Sequence, residues 1–472
     1  MSNWPGNLIR KTPVTPAGPY QTGAASGVWS LSEASYWTKQ GLWPIAGNIA
    51  PIGAPYWLDR LYRSTTSQST RGVAVDTDGN VYSATQSDSK TAILKTPVAG
   101  NSATYQTYLE GLVNVLPRGF QVDATGKAHA LLDGTGSFLV KLGVAGGIEW
   151  QKSMTGGGGR VNPSYLNYSQ NLSLDTSGNI YLGFSTAAYS IYAEDGVIMK
   201  VDSSGNTTWS RYFYKTTSSN RERIYASAVD ASGNVYGAGS SKSPLTLNDS
   251  AAVIKFNSSG TLQWQKRIDF NNGSSDGNFY SVCADSSGNV YACGRGQWTS
   301  GVGYRGIIAK FNSSGTLQWQ KQTSTDIYLI SIGFDPSGNI IVSGQNPSSN
   351  TYIAKFSSAG SVLWQRELSP ASSYVYPYDG YVDRSGNVYV SGESAYWAGD
   401  TDGFVFKGNT DGGPTGTFSG FTYAASAVTI SDPSFAEFTN SPTVVSGGWT
   451  TGSTTSITVG SAPLTIANTV FT

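Results

Sequence analysis

"KFNSSGTLQWQK" stands at Lys255–Lys266 and again, letter for letter, at Lys310–Lys321. Its frame is a lysine, a short polar turn with glycine, and a tryptophan nine residues past the lysine. The same frame recurs, less strictly spelled, at Lys141/Trp150, Lys200/Trp209 and Lys355/Trp364. A duplicate that recurs at near-constant spacing marks a repeating structural unit.

A second signature precedes each lysine. It reads "DTDGN" at Asp76, "DATGK" at Asp123, "DTSGN" at Asp175, "DASGN" at Asp230, "DSSGN" at Asp285, "DPSGN" at Asp335 and "DRSGN" at Asp383. The mean spacing is about 51 residues, within the range of repeat architectures. A strand-like run follows each copy ("VYSAT", "IYLGF", "VYGAG", "VYACG", "IIVSG", "VYVSG", and "AHALL" as the weakest). A variable loop leads to an apolar strand ending in Lys95, Lys141, Lys200, Lys255, Lys310, Lys355 or Lys407. Each unit therefore reads as four antiparallel strands with tight turns after the first and the third. Seven such units predict an all-β, seven-bladed β-propeller, because ring closure gives every blade two neighbours.

The first unit carries Tyr105 near the tryptophan position, and the seventh ends in "GPTGTFSGF" with no tryptophan. Upstream of the first unit stands "YWLDRLY", with Trp57 as far from Asp76 as Trp364 is from Asp383. Strand 56–62 is thus expected to complete the seventh blade. The predicted organisation is an N-terminal segment over 1–55, the ring over 56–420 and a β-rich C-terminal appendage over 421–472. That last segment alternates like strands ("AVTIS", "SITVG", "LTIANTVF") and has no lysine or arginine. It reads as a small appendage or as strands pairing elsewhere, and open edges of that kind favour homo-oligomer contacts.

Bulk composition narrows the function classes. Lys+Arg and Asp+Glu are both 30, with no basic run, so no charge field recruits nucleic acid or an anionic membrane. Aromatics make up 12 %, which argues against disorder. Two cysteines do not make a disulfide framework. The N-terminus lacks a leader's apolar core, and no apolar run is long enough to insert in a membrane, so export by the usual leader is not expected.

In the N-terminal segment, "SGVWSLSEASYWTKQGLWP" predicts one short helix. Ser30 and Glu33 form a capping box, and Gly41 and Pro44 end the helix. Trp29, Trp37 and Trp43 crowd an element too short to stand alone, so they are expected to dock on a partner or on the ring. This segment, S-G-V-W-x-L-x-E followed by G-x-W-P, resembles the N-terminal part of tail-fibre and other virion structural proteins of tailed bacteriophages. The rest resembles bacterial and phage propellers with "DxxGNVYV…KF…GxxxW" repeats. The resemblance implies virion attachment through Trp29, Trp37 and Trp43, other tail or capsid proteins as partners, and assembly into particles in the host cytoplasm.

Catalytic chemistry finds little footing. The single histidine, His129, lies in the weakest second strand with no G-x-S-x-G elbow. It reads as structural, and no zinc spacing exists around it or the cysteines. "DSSGNTTW" at Asp202–Trp209 departs in spacing from the Asp-box of sialidase propellers and reads as a hairpin turn. The seven aspartates read as turn residues, with calcium binding the alternative. The seven lysines read as their ion-pair partners, with an anion-binding ring the alternative. Cys283 and Cys293 flank the Asp285 turn and read as buried thiols, with a disulfide the alternative. No cofactor and no metal is expected.

Recognition is expected on the face where loop lengths vary. Tyr192, Trp298, Tyr304, Tyr376, Tyr378, Tyr396 and Trp397 stand in those loops, and such rings stack on sugars or anchor protein contacts. The sequence reading is a non-enzymatic virion structural protein whose loop face contacts a host-surface glycan or protein. A soluble lectin-like propeller and a glycan-degrading propeller enzyme are the alternatives.

Overall fold

The computed structural model describes residues 57–470, apart from 63–66, 88–89, 98–102, 111–114, 135, 156–170, 187–193, 215–220, 243–247, 271–275, 298–302, 397–400, 414, 419–420, 434–435, 440–442, 447–449, 454–457 and 461–464. The chain divides into two units, Met1–Ala54 and Pro55–Thr472, and all described residues lie in the second. The helix expected near Leu31–Gln40 and the docking residues Trp29, Trp37 and Trp43 lie outside the described residues.

Among the described residues the strands form seven antiparallel sheets, each built on four strands. Blade 4 is typical: Glu222–Val229, Val235–Lys242, Asp249–Phe256 and Leu262–Asp269 run from the inner to the outer edge. The inner strands pack sheet to sheet around the ring, and that of blade 1 (Gln68–Val75) meets those of blade 2 (Leu116–Val122) and blade 7 (Val375–Val382). This closes a seven-bladed β-propeller. Second and third strands are buried on both faces, so they read as unbroken runs of small and β-branched residues. Ala226, Val253 and Ile268 of blade 4 join Phe279, Val282 and Ala292 of blade 5 in one buried cluster.

The outer strand of blade 7 comes from the other end of the chain. Trp57–Tyr62 pairs antiparallel with Asp402–Asn409, and Trp57 faces Lys407 as Trp364 faces Lys355 in blade 6. The chain after the seventh third strand turns back instead. Gly416–Phe418 forms a hairpin with Phe421–Ala425, which pairs with the outer strand of blade 6.

From there the tail follows the rim. Among the described residues its strands form no sheet of their own. They add a fifth strand to every blade, in the order blade 6, 5, 4, 3, 2, 1 and 7. The register is regular. Tyr423 faces Leu368, Ile430 faces Thr323, Glu437 faces Ile268, Val444 faces Phe213, Thr451 faces Met154, Val459 faces Leu109 and Ile466 faces Leu61. Each partner in the blade stands four residues past the tryptophan or tyrosine of its outer strand. The tail advances seven residues per blade, and eight once, between Thr451 and Val459.

That step is written in the sequence as a triplet, apolar–Thr–X: FTY at Phe421, VTI at Val428, FAE at Phe435 (Ala for Thr), PTV at Pro442, WTT at Trp449, ITV at Ile457 and LTI at Leu464. The geometry is favourable. Strands in a sheet rotate by about 20–25° each, so the fifth lies nearly perpendicular to the first and tangential to the ring. Seven extended residues then span up to roughly 23 Å, enough to pass from one outer edge to the next. Phe421 and Tyr423 are core residues at 0 % and 2 % exposure, packed with Phe404 and Phe406.

Six inner strands carry a bulge among the described residues, at Arg71, Arg118, Tyr225, Tyr280, Ile330 and Tyr378. In four blades a glycine of the second strand faces it. A Cβ on Gly239, Gly294, Gly344 or Gly392 would stand 1.8–2.3 Å from a carbonyl oxygen of the bulged strand. The recurrent glycine of "VYxxG" is therefore steric.

Candidate functional site

The repeated charged residues assemble one hub per blade, on the side of the tight turns. In blade 3 Asp175 accepts the backbone N–H of Ser177 and Asn179, the Asn179 side-chain amide and the Tyr181 hydroxyl, all at 2.8–2.9 Å. Tyr82, Tyr236, Tyr291 and Tyr389 donate to their own aspartates at 2.8–3.4 Å. The lysine of the third strand stands across from that tyrosine, with its ammonium 5.0–5.9 Å from the ring centre in five blades. Lys95, Lys141 and Lys355 also pair with Asp76, Asp123 and Asp335, at 3.5, 3.8 and 2.7 Å. Burial alone would raise the Asp175 carboxyl. The Asn179, Tyr181 and Ser177 donors outweigh it and hold the carboxyl below its usual range. These aspartates and lysines serve the turns.

The fourth-strand tryptophans join the blades. The indole N–H of Trp150, Trp209, Trp264, Trp319 and Trp364 donates to a carbonyl in the next blade's second tight turn, at 2.9–3.3 Å. The turn glycine lies flat on the same indole, since a Cβ on Gly260 would stand 2.7 Å from Trp209. Two residues on, Arg211 and Arg366 bond the carbonyls of Gly260 and Gly412. The motif W-x-[KR], spelled W-Q-K in the opening stretch, is thus a blade-to-blade clamp.

His129 fills the tyrosine position in blade 2. It is fully buried, and its Nε2 lies 3.2 Å from Asp123 Oδ2. Its Nδ1 is buried without a hydrogen-bond partner among the described residues. Burial lowers its pKa, and Asp123 only partly restores it against the added repulsion of Lys141. The unfolded chain therefore takes the proton first, and stability is lost as pH falls below about 6.5 towards the lower folded value. His129→Tyr is expected to abolish the part of that loss that lies between about pH 6.5 and 5 while leaving the carboxylate-driven loss near pH 4. Urea midpoints measured against pH check this, and an unchanged slope above pH 5 would contradict it.

Cys283 and Cys293 are free thiols, and burial pushes both well up. Cys283 borders a cavity of about 330 Å³ at the turn-side mouth of the ring axis, with Tyr381 and Arg384 on its rim. A second cavity of about 350 Å³ adjoins it beside Asp76, Asp123 and Arg384.

The loop face carries the other cluster. Tyr304 is partly exposed, and the Arg295 guanidinium lies 4.0 Å from its ring centre. The opposite face of the guanidinium meets Tyr328 at 4.1 Å. Tyr328 stacks on Tyr280 at 4.7 Å and 4°, and Tyr280 meets Tyr225 at 5.6 Å. Five planar groups thus form one row across blades 4, 5 and 6, ending outward at Tyr304. Burial and the charges of Asp276, Asp249 and Asp326 raise the Tyr304 hydroxyl, with Arg295 opposing. Asp326 sits in the turn before Tyr328, and the tail fixes that turn: Ser324 N–H donates to Thr429 O, and Thr429 N–H donates to Ser324 Oγ.

The other aromatics expected on this face are scattered. Tyr376 stacks on Tyr374 at 4.3 Å. Tyr396 packs edge-on against Phe421 at 4.9 Å. Tyr378 corrects the sequence reading. It is a bulge residue only 8 % exposed, covered by the Arg71 guanidinium at 4.6 Å, so it offers no open ring face. Tyr192, Trp298 and Trp397 lie outside the described residues. Arg295, Tyr328, Tyr280 and Asp326 were not singled out from sequence. The signal lay in an arginine amid the small residues "VYACGRG" and in a tyrosine just after an aspartate-bearing turn.

No family model matches the chain. No curated protein matches it either. Among solved structures it is similar to the WD40 domain of Pan2 from Neurospora crassa, with 10 % identity over 75 % of this chain and 96 % of that one, at a TM-score of 0.46. A protein of unknown function from Bacteroides caccae shows 12 % identity over 57 % and 93 %, at 0.33. A eukaryotic initiation factor shows 9 % identity over 84 % and 98 %, at 0.34. The propeller assignment stands on the strand pairing above, and these likenesses add nothing about function.

Proposed function

We propose that the chain is a non-enzymatic structural component of a bacteriophage virion, a tail fibre, spike or decoration protein. Its N-terminal segment docks on other virion proteins through Trp29, Trp37 and Trp43, and its loop face meets a host-surface glycan or protein. The observation that carries this reading is the strand Trp57–Tyr62. It is held on both edges, by five register pairs to Asp402–Asn409 and six to the tail strand Thr465–Val470. A pull arriving from residues before Trp57 is therefore shared by strands from the far end of the chain. Such a strand suits a ring carried at the end of an attachment segment. The use of the aspartates and of His129 as turn hubs supports a scaffold rather than a catalyst.

Mass spectrometry of purified particles is expected to find the chain, and deleting residues 1–50 is expected to remove it from particles while leaving the ring folded. Its absence from particles overturns the reading. Glycan binding by a chain absent from particles would identify a soluble lectin-like propeller instead, which the Tyr304 row also supports.

A further inference from the structure

We infer that the closure of blade 7 is a directional latch, which holds against a pull on the chain entering at Trp57 and yields to a pull on the C-terminal tail. This deepens the attachment reading above and rests on it for the source of the pull, though not for the mechanics.

Three observations converge. The first is where the two ends of the ring meet. Trp57 faces Lys407 on one edge and Val470 on the other. The chain thus enters, and the tail's last strand ends, at one corner of blade 7. That corner corresponds to the tight turn between the third and fourth strands of blade 6. From there Trp57–Tyr62 runs antiparallel to both neighbours, and its far end, Tyr62, faces Thr465.

The second is the direction of the bonds. Hydrogen bonds of an antiparallel pair lie perpendicular to the strands. A pull on the chain before Trp57, opposed by the ring beyond Tyr62, acts along the strand. It loads the five register pairs to Asp402–Asn409 and the six to Thr465–Val470 together. A pull between Trp57 and the end of the tail acts across the strands instead. It opens Trp57 from Val470 first, then Leu58 from Thr469, one pair at a time. The tail strands behind offer short grips, three register pairs on blade 1 and two on blade 5.

The third is a pair of side-chain stops. Arg60 Nε and Nη2 each lie 2.8 Å from Asp402 Oδ2. Arg60 faces Phe404, so Asp402 stands two residues further from the entry corner. Drawing the strand out towards that corner stretches this ion pair, whereas peeling the tail leaves it in place. Leu61, the next residue, is 2 % exposed and buried with Val73 and Leu94 of blade 1 and Val405 of blade 7. It must leave that core before the strand can slide, and exposing such a side chain is costly.

Single-molecule pulling on the full chain tests the latch, in a Cys283→Ser, Cys293→Ala background. One handle sits at the N-terminus. The other sits either at Ser372→Cys or at the C-terminus. Ser372 is exposed, in the loop between the outer strand of blade 6 and the inner strand of blade 7. Whatever residues 1–54 contribute is common to both pulls. With the handle at 372 the ring is expected to yield at a force at least about 2-fold above the first ring event of the other pull, because its pairs load together. With the handle at the C-terminus the tail is expected to come away in steps of up to roughly 23 Å, seven residues each. Arg60→Met keeps the side-chain stem. It is expected to lower the first force and to leave the second unchanged. Its melting temperature reports folding, and the two pulls on the parent decide the matter should it fail to fold. Equal forces, a lower force with the handle at 372, or a first force indifferent to Arg60→Met overturns the latch. A chain present in virions whose two pulls give equal forces refutes the latch alone, and a chain absent from virions whose forces differ as expected refutes the virion role alone.

Discussion

Ending the chain after Gly420 is expected to lower the apparent melting temperature by on the order of 10 °C and to promote aggregation. Two terms set the size. Phe421 and Tyr423 are core aromatics, and deleting buried aromatic side chains costs about 3–5 kcal/mol each. For a domain of this size, ~2 °C per kcal/mol is a fair conversion. The remaining tail strands add backbone pairing and cross-strand contacts worth a few tenths of a kcal/mol each, less the entropy of ordering the tail. Removing them also bares the outer edges of seven sheets, which invites pairing between molecules. Ending the chain instead after Ser456 removes only Thr458–Gly460 and Thr465–Val470 and exposes one edge of Trp57–Tyr62. That shorter truncation is expected to make the first-to-last closure the weakest point of the ring. Thermal scans with light scattering on both truncations check this. A chain lacking 421–472 that melts within about 2 °C of the full one would mean that the tail contributes nothing to the fold.

The second large effect belongs to the blade clamp. Trp209→Ala is expected to cost about 3–5 kcal/mol, since the indole is 9 % exposed, carries the Gly260 turn of blade 4 and bonds Ser258 O at 3.1 Å. Trp209→Phe keeps most of the apolar contact and loses the hydrogen bond, so about 1 kcal/mol plus a small packing loss is expected. The ordering separates the two contributions. Equal costs would assign the clamp to the N–H, and a cost below about 1 kcal/mol for Trp209→Ala would mean that the blades are not joined there. Denaturant unfolding of the three proteins provides the measurement. Tyr105 fills the same slot in blade 1, where Gly146 lies against its ring without an indole N–H, which shows that the apolar platform is the shared requirement.

The ring was legible because each blade repeats local chemistry. The Asp-x-x-Gly turns, the lysine across from a tyrosine and the tryptophan nine residues on are all set by neighbours within one unit. Even the closure of blade 7 showed, since Trp57 keeps the spacing of a fourth-strand tryptophan. The tail was legible only as strands. Its partners lie between about 50 and 410 residues earlier in the chain, and no local turn links a tail strand to its blade. The triplet at Phe421, Val428, Phe435, Pro442, Trp449, Ile457 and Leu464 was nevertheless there to be counted. Its step of seven has no meaning until the rim spacing of a propeller is known.

The loop face divides in a similar way. Tyr304 was legible as an aromatic in a variable loop. Arg295 and Tyr328 lie within strands of different blades, and only the sheet geometry brings Tyr328 and Tyr304 to the one guanidinium of Arg295. Tyr378 misled because a bulge turns a strand residue inward, and nothing in "VYPYDG" marks where the extra residue falls.

The central claim is that the tail belts the ring one blade at a time, and cysteine cross-linking in fixed register tests it most directly. In a Cys283→Ser, Cys293→Ala background, Ser446→Cys pairs with one of three equivalent outer-strand positions: Arg211→Cys in blade 3, Lys266→Cys in blade 4 or Lys152→Cys in blade 2. Ser446 faces Arg211, whereas Lys266 faces Thr439 and Lys152 faces Ser453. Facing positions in an antiparallel pair have Cα atoms about 4.5–5.5 Å apart, within disulfide reach. Mild oxidation is expected to join 446 to 211 nearly completely and to leave the other two pairs as thiols. Equal cross-linking at all three positions, or none at 211, would contradict the belt.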